Sequence, residues 1–252
     1  MIVTDLWFWI LAGVATLFVG SSKGGLPLIG MLAVPLMALQ ISPVVAAGLL
    51  LPIYIISDMY GLWIYRHSFD LRNIVILVPA AAIGIAVGWA TASITNEDVV
   101  TILVGVIGLA YCIDAVLKAR RNLPPRTADV PRGLLWGSLA GFTSFVSHAG
   151  APPYQMYVLP QRLEKMVYAG TATITFTIIN ALKLPPYFFL GQINLQSLEK
   201  CLYLAPVALF GAWAGFRLTK IIPERIFFRA VEIALFIVSV KLIWDAIVGW
   251  MS

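Results

Sequence analysis

Lys23, Asp58, His148 and Asn180 each stand inside apolar sequence. A polar or charged group at such a place is costly in hydrocarbon and is by default a functional candidate. Lys23 directly precedes Gly24-Gly25-Leu26-Pro27, and His148 directly precedes Ala149-Gly150-Ala151-Pro152-Pro153. Shifted by 125 positions, Lys23 falls on His148, Gly25 on Gly150, Pro27 on Pro152 and Pro35 on Pro160. The chemistry these types suit is the binding of a small anion. Glycines admit a ligand close to the backbone, and N–H groups at a helix start carry partial positive charge. The expected donors are the Lys23 ammonium and the N–H groups around Gly24–Gly25 and Ala149–Gly150. His148 adds a hydrogen bond or a group that titrates near neutral pH. Tyr154 and Gln155 are further expected ligand contacts.

Asp58 and Asn180 match each other at a shift of 122 and follow the two breaks by one helix. Asp58 could carry a coupling proton or pair with Lys23, with Asn180 and Thr173 as polar lining. Thr171, Thr173, Thr175 and Thr177 alternate, so they cannot all share one helical face. Plainer readings compete. Lys23 could snorkel to a surface, His148 could be a satisfied core histidine, and the glycines could serve close helix packing.

The elements that must position these groups are helices in a bilayer. Of the 252 residues, 60% are hydrophobic and 12% charged, and mean hydropathy is +0.91. A soluble domain averages about 25% charged residues, so the composition indicates a polytopic membrane protein. The net charge of +5 reports loops rather than nucleic-acid binding. Apolar segments fall at approximately 6–40, 43–65, 72–93, 98–118, 133–160, 166–190, 197–219 and 226–250. The run from Leu6 to Gln40 would make one helix about 52 Å long against roughly 30 Å of hydrocarbon, so it must break. The break is expected at Gly24-Gly25-Leu26-Pro27. The N-terminus has no basic region ahead of its first apolar stretch, so a cleavable signal peptide is not expected.

Matches recur in order along the chain: Leu11-Ala12-Gly13 with Leu139-Ala140-Gly141, and Pro79, Gly84, Gly88 and Glu97 with Pro206, Gly211, Gly215 and Glu224. Such an ordered set signals duplication. The expected organisation is a first membrane repeat over 1–118, a basic cytoplasmic linker over 119–132 and a second repeat over 133–252. Basic residues fix the orientation. If each broken segment is a hairpin, the loops at 66–72, 118–132, 162–165 and 217–229 share one side and hold thirteen of the seventeen Lys and Arg. The predicted fold is therefore an all-α integral membrane protein of two inverted-topology repeats. Each repeat is a broken, re-entrant or short helix hairpin plus three transmembrane helices, and the N-terminus is periplasmic.

Inverted repeats with broken helices are the pattern of secondary transporters. No cofactor, metal or catalytic residue is expected. Cys112 and Cys201 form no CxxC, no HExxH exists, and no Walker motif appears. An intramembrane enzyme is disfavoured because Ser147 and His148, being adjacent, point apart and make no dyad. An anion channel remains the other class. Expected partners are a small anionic substrate and the lipid bilayer, with a coupling proton or cation and a homo-oligomer left open.

The chain resembles the sulfite exporter TauE/SafE family. The resemblance rests on Leu11-Ala12-Gly13, the Lys23-Gly24-Gly25-Leu26-Pro27 break, the echo from Leu139-Ala140-Gly141 to Pro152-Pro153, and the Pro…Gly-x-x-x-Gly helices at Pro79 to Gly88 and Pro206 to Gly215. It implies a bacterial inner-membrane carrier for sulfite, sulfonates or related small anions.

Overall fold

Leu6 to Lys23 form one helix, α1, which ends on the lysine the sequence singles out. A cation in the last turn complements the negative end of the helix dipole. Gly25 then turns the chain at φ 114°, a backbone angle suited to glycine. Pro27 opens α2, Pro27–Gly30, followed by α3, Ala33–Met37. Both pack back along α1. The return limb of eleven residues is about 16 Å long, half the hydrocarbon thickness.

Ser42 caps α4, Pro43–Tyr65, accepting from the Val45 N–H at 3.4 Å, with Pro43 in the first turn. Helix α5 spans Leu71–Ala90. Asp129 caps α6, Val130–Ser147, by accepting from the Arg132 N–H at 3.0 Å. His148 ends that helix, and α7, Ala151–Val158, leads into a 3₁₀ turn at Leu159–Gln161. Helices α8, Lys165–Phe189, α9, Leu195–Ile221, and α10, Glu224–Met251, complete the chain. The computed structural model describes residues 6–94, scattered positions between 99 and 113, 124–193 and 195–251. Most of the expected segment at 98–118, the linker up to residue 123, and the first five residues lie outside that set. Among the described residues there is no strand, and five helices are long and apolar enough to cross a membrane.

Contacts group the chain into two units that do not follow its halves. One holds Met1–Leu71 with Met166–Ile222, the other Arg72–Lys165 with Pro223–Ser252. In the first unit α1 lies directly on α9. A Cβ at Gly20 would strike the Ala208 carbonyl, and one at Gly211 or Gly215 would meet Leu17 or Ser21 backbone. In the second unit α6 lies on α5 in the same manner, with Gly84 against Ser138 and Gly141 against Ala81. Small residues permit this backbone approach, which dispersion then stabilises where lipid offers no hydrophobic drive between helices. Each break-bearing hairpin thus packs on the Pro…Gly-x-x-x-Gly helix from the other half of the sequence.

Candidate functional site

In the first unit the Lys23 Nζ lies 2.8 Å from Asp58 Oδ1, and the two side chains are 4% and 0% exposed. Lys23 therefore does not snorkel. The Thr177 hydroxyl is 2.9 Å from the same carboxylate oxygen, and Asn180 Nδ2 donates to Asp58 Oδ2 at 2.9 Å. Three helices supply these groups: α1 its last residue, α4 the carboxylate, α8 the two neutral donors. Thr177 is the central residue of α8, about 18 Å from either end. The cluster thus sits at mid-helix depth, where an ion pair gains most from good geometry and loses most from a missing partner.

The surrounding shell is aromatic and tight. Lys23 Nζ lies 5.1 Å from the centre of the Tyr54 ring and 5.9 Å from that of Phe176. Tyr54 donates to the Gly30 carbonyl at 2.7 Å, and Tyr65 to the Gly24 carbonyl at 2.8 Å, so two α4 tyrosines tie down the broken segment. Thr173 donates to the Lys23 carbonyl at 3.3 Å from beside Gly61. Of the alternating threonines, Thr173 and Thr177 reach this cluster, and Thr171 accepts from the Asp70 N–H at 2.8 Å instead. Thr175 is buried.

Gly24 and Gly25 differ from expectation. Their N–H groups point back into α1, to the carbonyls of Gly20, Ser21 and Ser22, at 3.1 to 3.3 Å. They stand at a helix C-terminus, where amides satisfy orphan carbonyls rather than face a ligand. Their observed work is geometric: Gly24 lets the Phe216 backbone approach, and Gly25 makes the turn.

In the second unit His148 adopts the left-handed conformation, φ 54°, and its N–H returns to the Ser144 carbonyl at 3.1 Å. The Ala149 N–H is likewise bonded to the Thr143 carbonyl at 3.2 Å, so it too is not a ligand donor here. Gly150 precedes α7, whose start has no side-chain cap, and Pro152 and Pro153 bring no N–H. This helix start therefore offers fewer donors than an ordinary one. Gln155 is 0% exposed, and among the described residues neither the oxygen nor the nitrogen of its carboxamide has a hydrogen-bond partner. Leaving a buried amide unsatisfied costs about 1–3 kcal/mol, which marks Gln155 as a side chain a polar ligand would satisfy. Tyr154 is buried beside it in sequence. A contrasting pair, Asn73 and Gln161, satisfies itself by reciprocal amide bonds of 2.9 Å.

Lys183 was not singled out by sequence. It is 0% exposed, one turn beyond Asn180 on α8, with Nζ 5.9 Å from the Tyr187 ring centre. It is near enough to Lys23 and Asp58 to interact with both charges. The available signal was a lysine inside the apolar run 166–190, seven residues from its end, where a long side chain reads as snorkelling. A cavity of about 360 Å³ bordered by Pro52, Ile56, Leu184, Leu198 and Leu202 is lined by apolar side chains and offers a small anion no counter-charge.

The model of the family described as sulfite exporter TauE/SafE matches residues 9–242. This chain belongs to the sulfite exporter TauE/SafE family. That family consists of membrane transporters, not enzymes. With its apolar helices, this TauE/SafE member is a multi-pass membrane protein. Neither the curated proteins nor the solved structures returned a match. Among the described residues no group of three His, Cys, Asp or Glu could hold a metal ion.

Proposed function

We propose that the chain is a secondary transporter moving a small sulfur oxyanion, sulfite or an organosulfonate, across the bacterial inner membrane by alternating access. The observation that carries this is the buried Lys23–Asp58 pair at the break of α1. A family of anion transporters needs a cation within the membrane, and such a cation needs a counter-charge when no anion is bound. Asp58 is that counter-charge in our reading, and protonating it would release Lys23 to the substrate, which is a route to proton coupling. Lys23, with Gly24 and Gly25 shaping its approach, binds the anion, and Asp58, Asn180 and Thr173 line the site. In the second unit, His148, Tyr154 and Gln155, with Ala149 and Gly150 shaping the backbone beside them, form a separate set of polar contacts in this reading, for which the unsatisfied Gln155 amide is the support.

Reconstituted into liposomes, the purified wild type should give saturable sulfite uptake that accelerates with sulfite on the opposite side. The double variant Lys23→Met/Asp58→Asn, which keeps the core neutral, should be folded and inactive. Flux that neither saturates nor exchanges would favour a channel, and full activity in the double variant would move the site elsewhere.

The inverted repeat belongs to the same proposal. Its support is the close packing of α1 on α9 at Gly211 and Gly215 and of α6 on α5 at Gly84 and Gly88, glycines matched at a shift of 127. One-sided clustering of Arg and Lys puts the basic loops in the cytoplasm and the N-terminus in the periplasm. Single cysteines at Thr127 and Gln192 should then react with an impermeant maleimide from opposite faces of the membrane. Reaction of both from the periplasmic side would overturn the inverted arrangement.

A further inference from the structure

Buried carboxamides in the second unit meet two different fates. Asn73 and Gln161 satisfy each other, each nitrogen donating to the other's oxygen at 2.9 Å. Gln155, on α7, is fully buried, and among the described residues neither its Oε1 nor its Nε2 has a hydrogen-bond partner. A stranded amide of this kind is rare in a native interior and calls for a reason. The hairpin itself supplies none. Shifted by 125 positions, Gln155 falls on Gly30, which has no side chain, and there the Tyr54 hydroxyl donates to the Gly30 carbonyl at 2.7 Å. The first half of the chain thus builds the equivalent limb without an amide.

We infer that Gln155 reads the proton on the substrate, selecting an oxyanion that carries a hydroxyl and a bare oxygen on the same central atom, as hydrogen sulfite does. The inference rests on the reading above that Gln155 touches the substrate. A carboxamide presents an acceptor and a donor side by side. A ligand that satisfies both must donate with one atom and accept with the next, as Asn73 and Gln161 do for each other. The edge of a protonated oxyacid has that form. Its O–H donates to Gln155 Oε1, and the neighbouring oxygen accepts from Nε2. A fully ionised oxyanion, whether sulfite, sulfate or a sulfonate, can only accept. It would satisfy Nε2 and leave Oε1 stranded against further lone pairs. Gln155 has no charge of its own, so it distinguishes ligands of equal charge by the proton alone. The species it favours brings its own proton to the membrane.

Methanesulfonate and hydrogen methylphosphonate make a matched pair. Both are methyl-capped monoanions with three oxygens, and only the second carries an O–H. Calorimetric titration of the detergent-purified full chain with each, at one pH where methylphosphonate is a monoanion, tests the inference. The wild type should bind hydrogen methylphosphonate at least about tenfold more tightly, the effect of not leaving a buried acceptor unpaired. Gln155→Met, of similar volume, should erase that difference. With no stranded amide, it should also raise the melting temperature of the ligand-free protein by at least about 2 °C. Equal affinities in the wild type would overturn this inference alone, and that comparison needs no variant to fold. A preference that persists in Gln155→Met would overturn it too, by assigning the proton to another residue. Equal affinities together with an unchanged melting temperature in Gln155→Met would mark an amide satisfied by a structural water. A wild type that binds neither of these anions nor sulfite would overturn the site assignment as well.

Discussion

Lys23→Met should destabilise the protein by about 3–5 kcal/mol, because it leaves Asp58 as a buried carboxylate stripped of its ion pair. Thr177 and Asn180 still donate to it, and Lys183 remains near, which places the expected cost at the lower end. Asp58→Asn should cost a comparable amount by stranding the ammonium. The double variant Lys23→Met/Asp58→Asn removes both charges and should recover much of the loss, since replacing a buried pair whole is often close to neutral. Unfolding of the four proteins in one detergent gives the coupling energy directly, and we expect about 2 kcal/mol or more. Additive single effects would mean that the two charges do not depend on each other.

Gly24→Ala and Gly13→Ala are the same substitution at two places near one helix, and they should act with opposite sign. A methyl at Gly24 would run into the backbone of Ala212, Gly215 and Phe216 on α9, which cannot step aside as a side chain can. Forcing α1 off α9 should cost about 3 kcal/mol, the upper end of ordinary overpacking. Nothing lies within 4 Å of the corresponding position at Gly13, so alanine there should stabilise by about 0.5–1 kcal/mol through helix propensity. The shift in melting temperature of each variant checks this. Equal shifts would show that helix propensity, not contact with α9, governs both sites.

What could be read from sequence was local. The break between Lys23 and Pro27 announces itself because glycine, proline and lysine have strong preferences of their own. The resemblance to the family rests on those same residues and agrees with the family match. Pairwise facts were harder. Asp58 and Asn180 stand out as equivalent positions, but equivalence does not say that one side chain donates to the other, as Asn180 does. Gly24 and Gly25, followed by a proline, read as the start of a half-helix with free amides. They instead finish α1, because a helix C-terminus needs its last carbonyls covered and the next two amides are the nearest donors. Lys183 escaped notice because its environment is set by α1 and α4, far away in sequence. The grouping of α1 with α9 and α6 with α5 was likewise invisible to any reading of neighbours along the chain.

That interleaving bears on how the protein is made. Gly20 leaves the ribosome 188 residues before Ala208, the backbone it must lie against. At about 5–20 residues per second, α1 spends roughly 10–40 s in the bilayer without its packing surface. During that interval a buried lysine lacks α8 and its small residues lack a partner helix, so the nascent first half is a client for insertion chaperones and proteases. A chain cut in the 119–132 linker should accordingly yield two fragments that are degraded when made singly and persist when made together. For this fold, synthesis order and assembly order are different things, and the last hundred residues decide the fate of the first twenty-five.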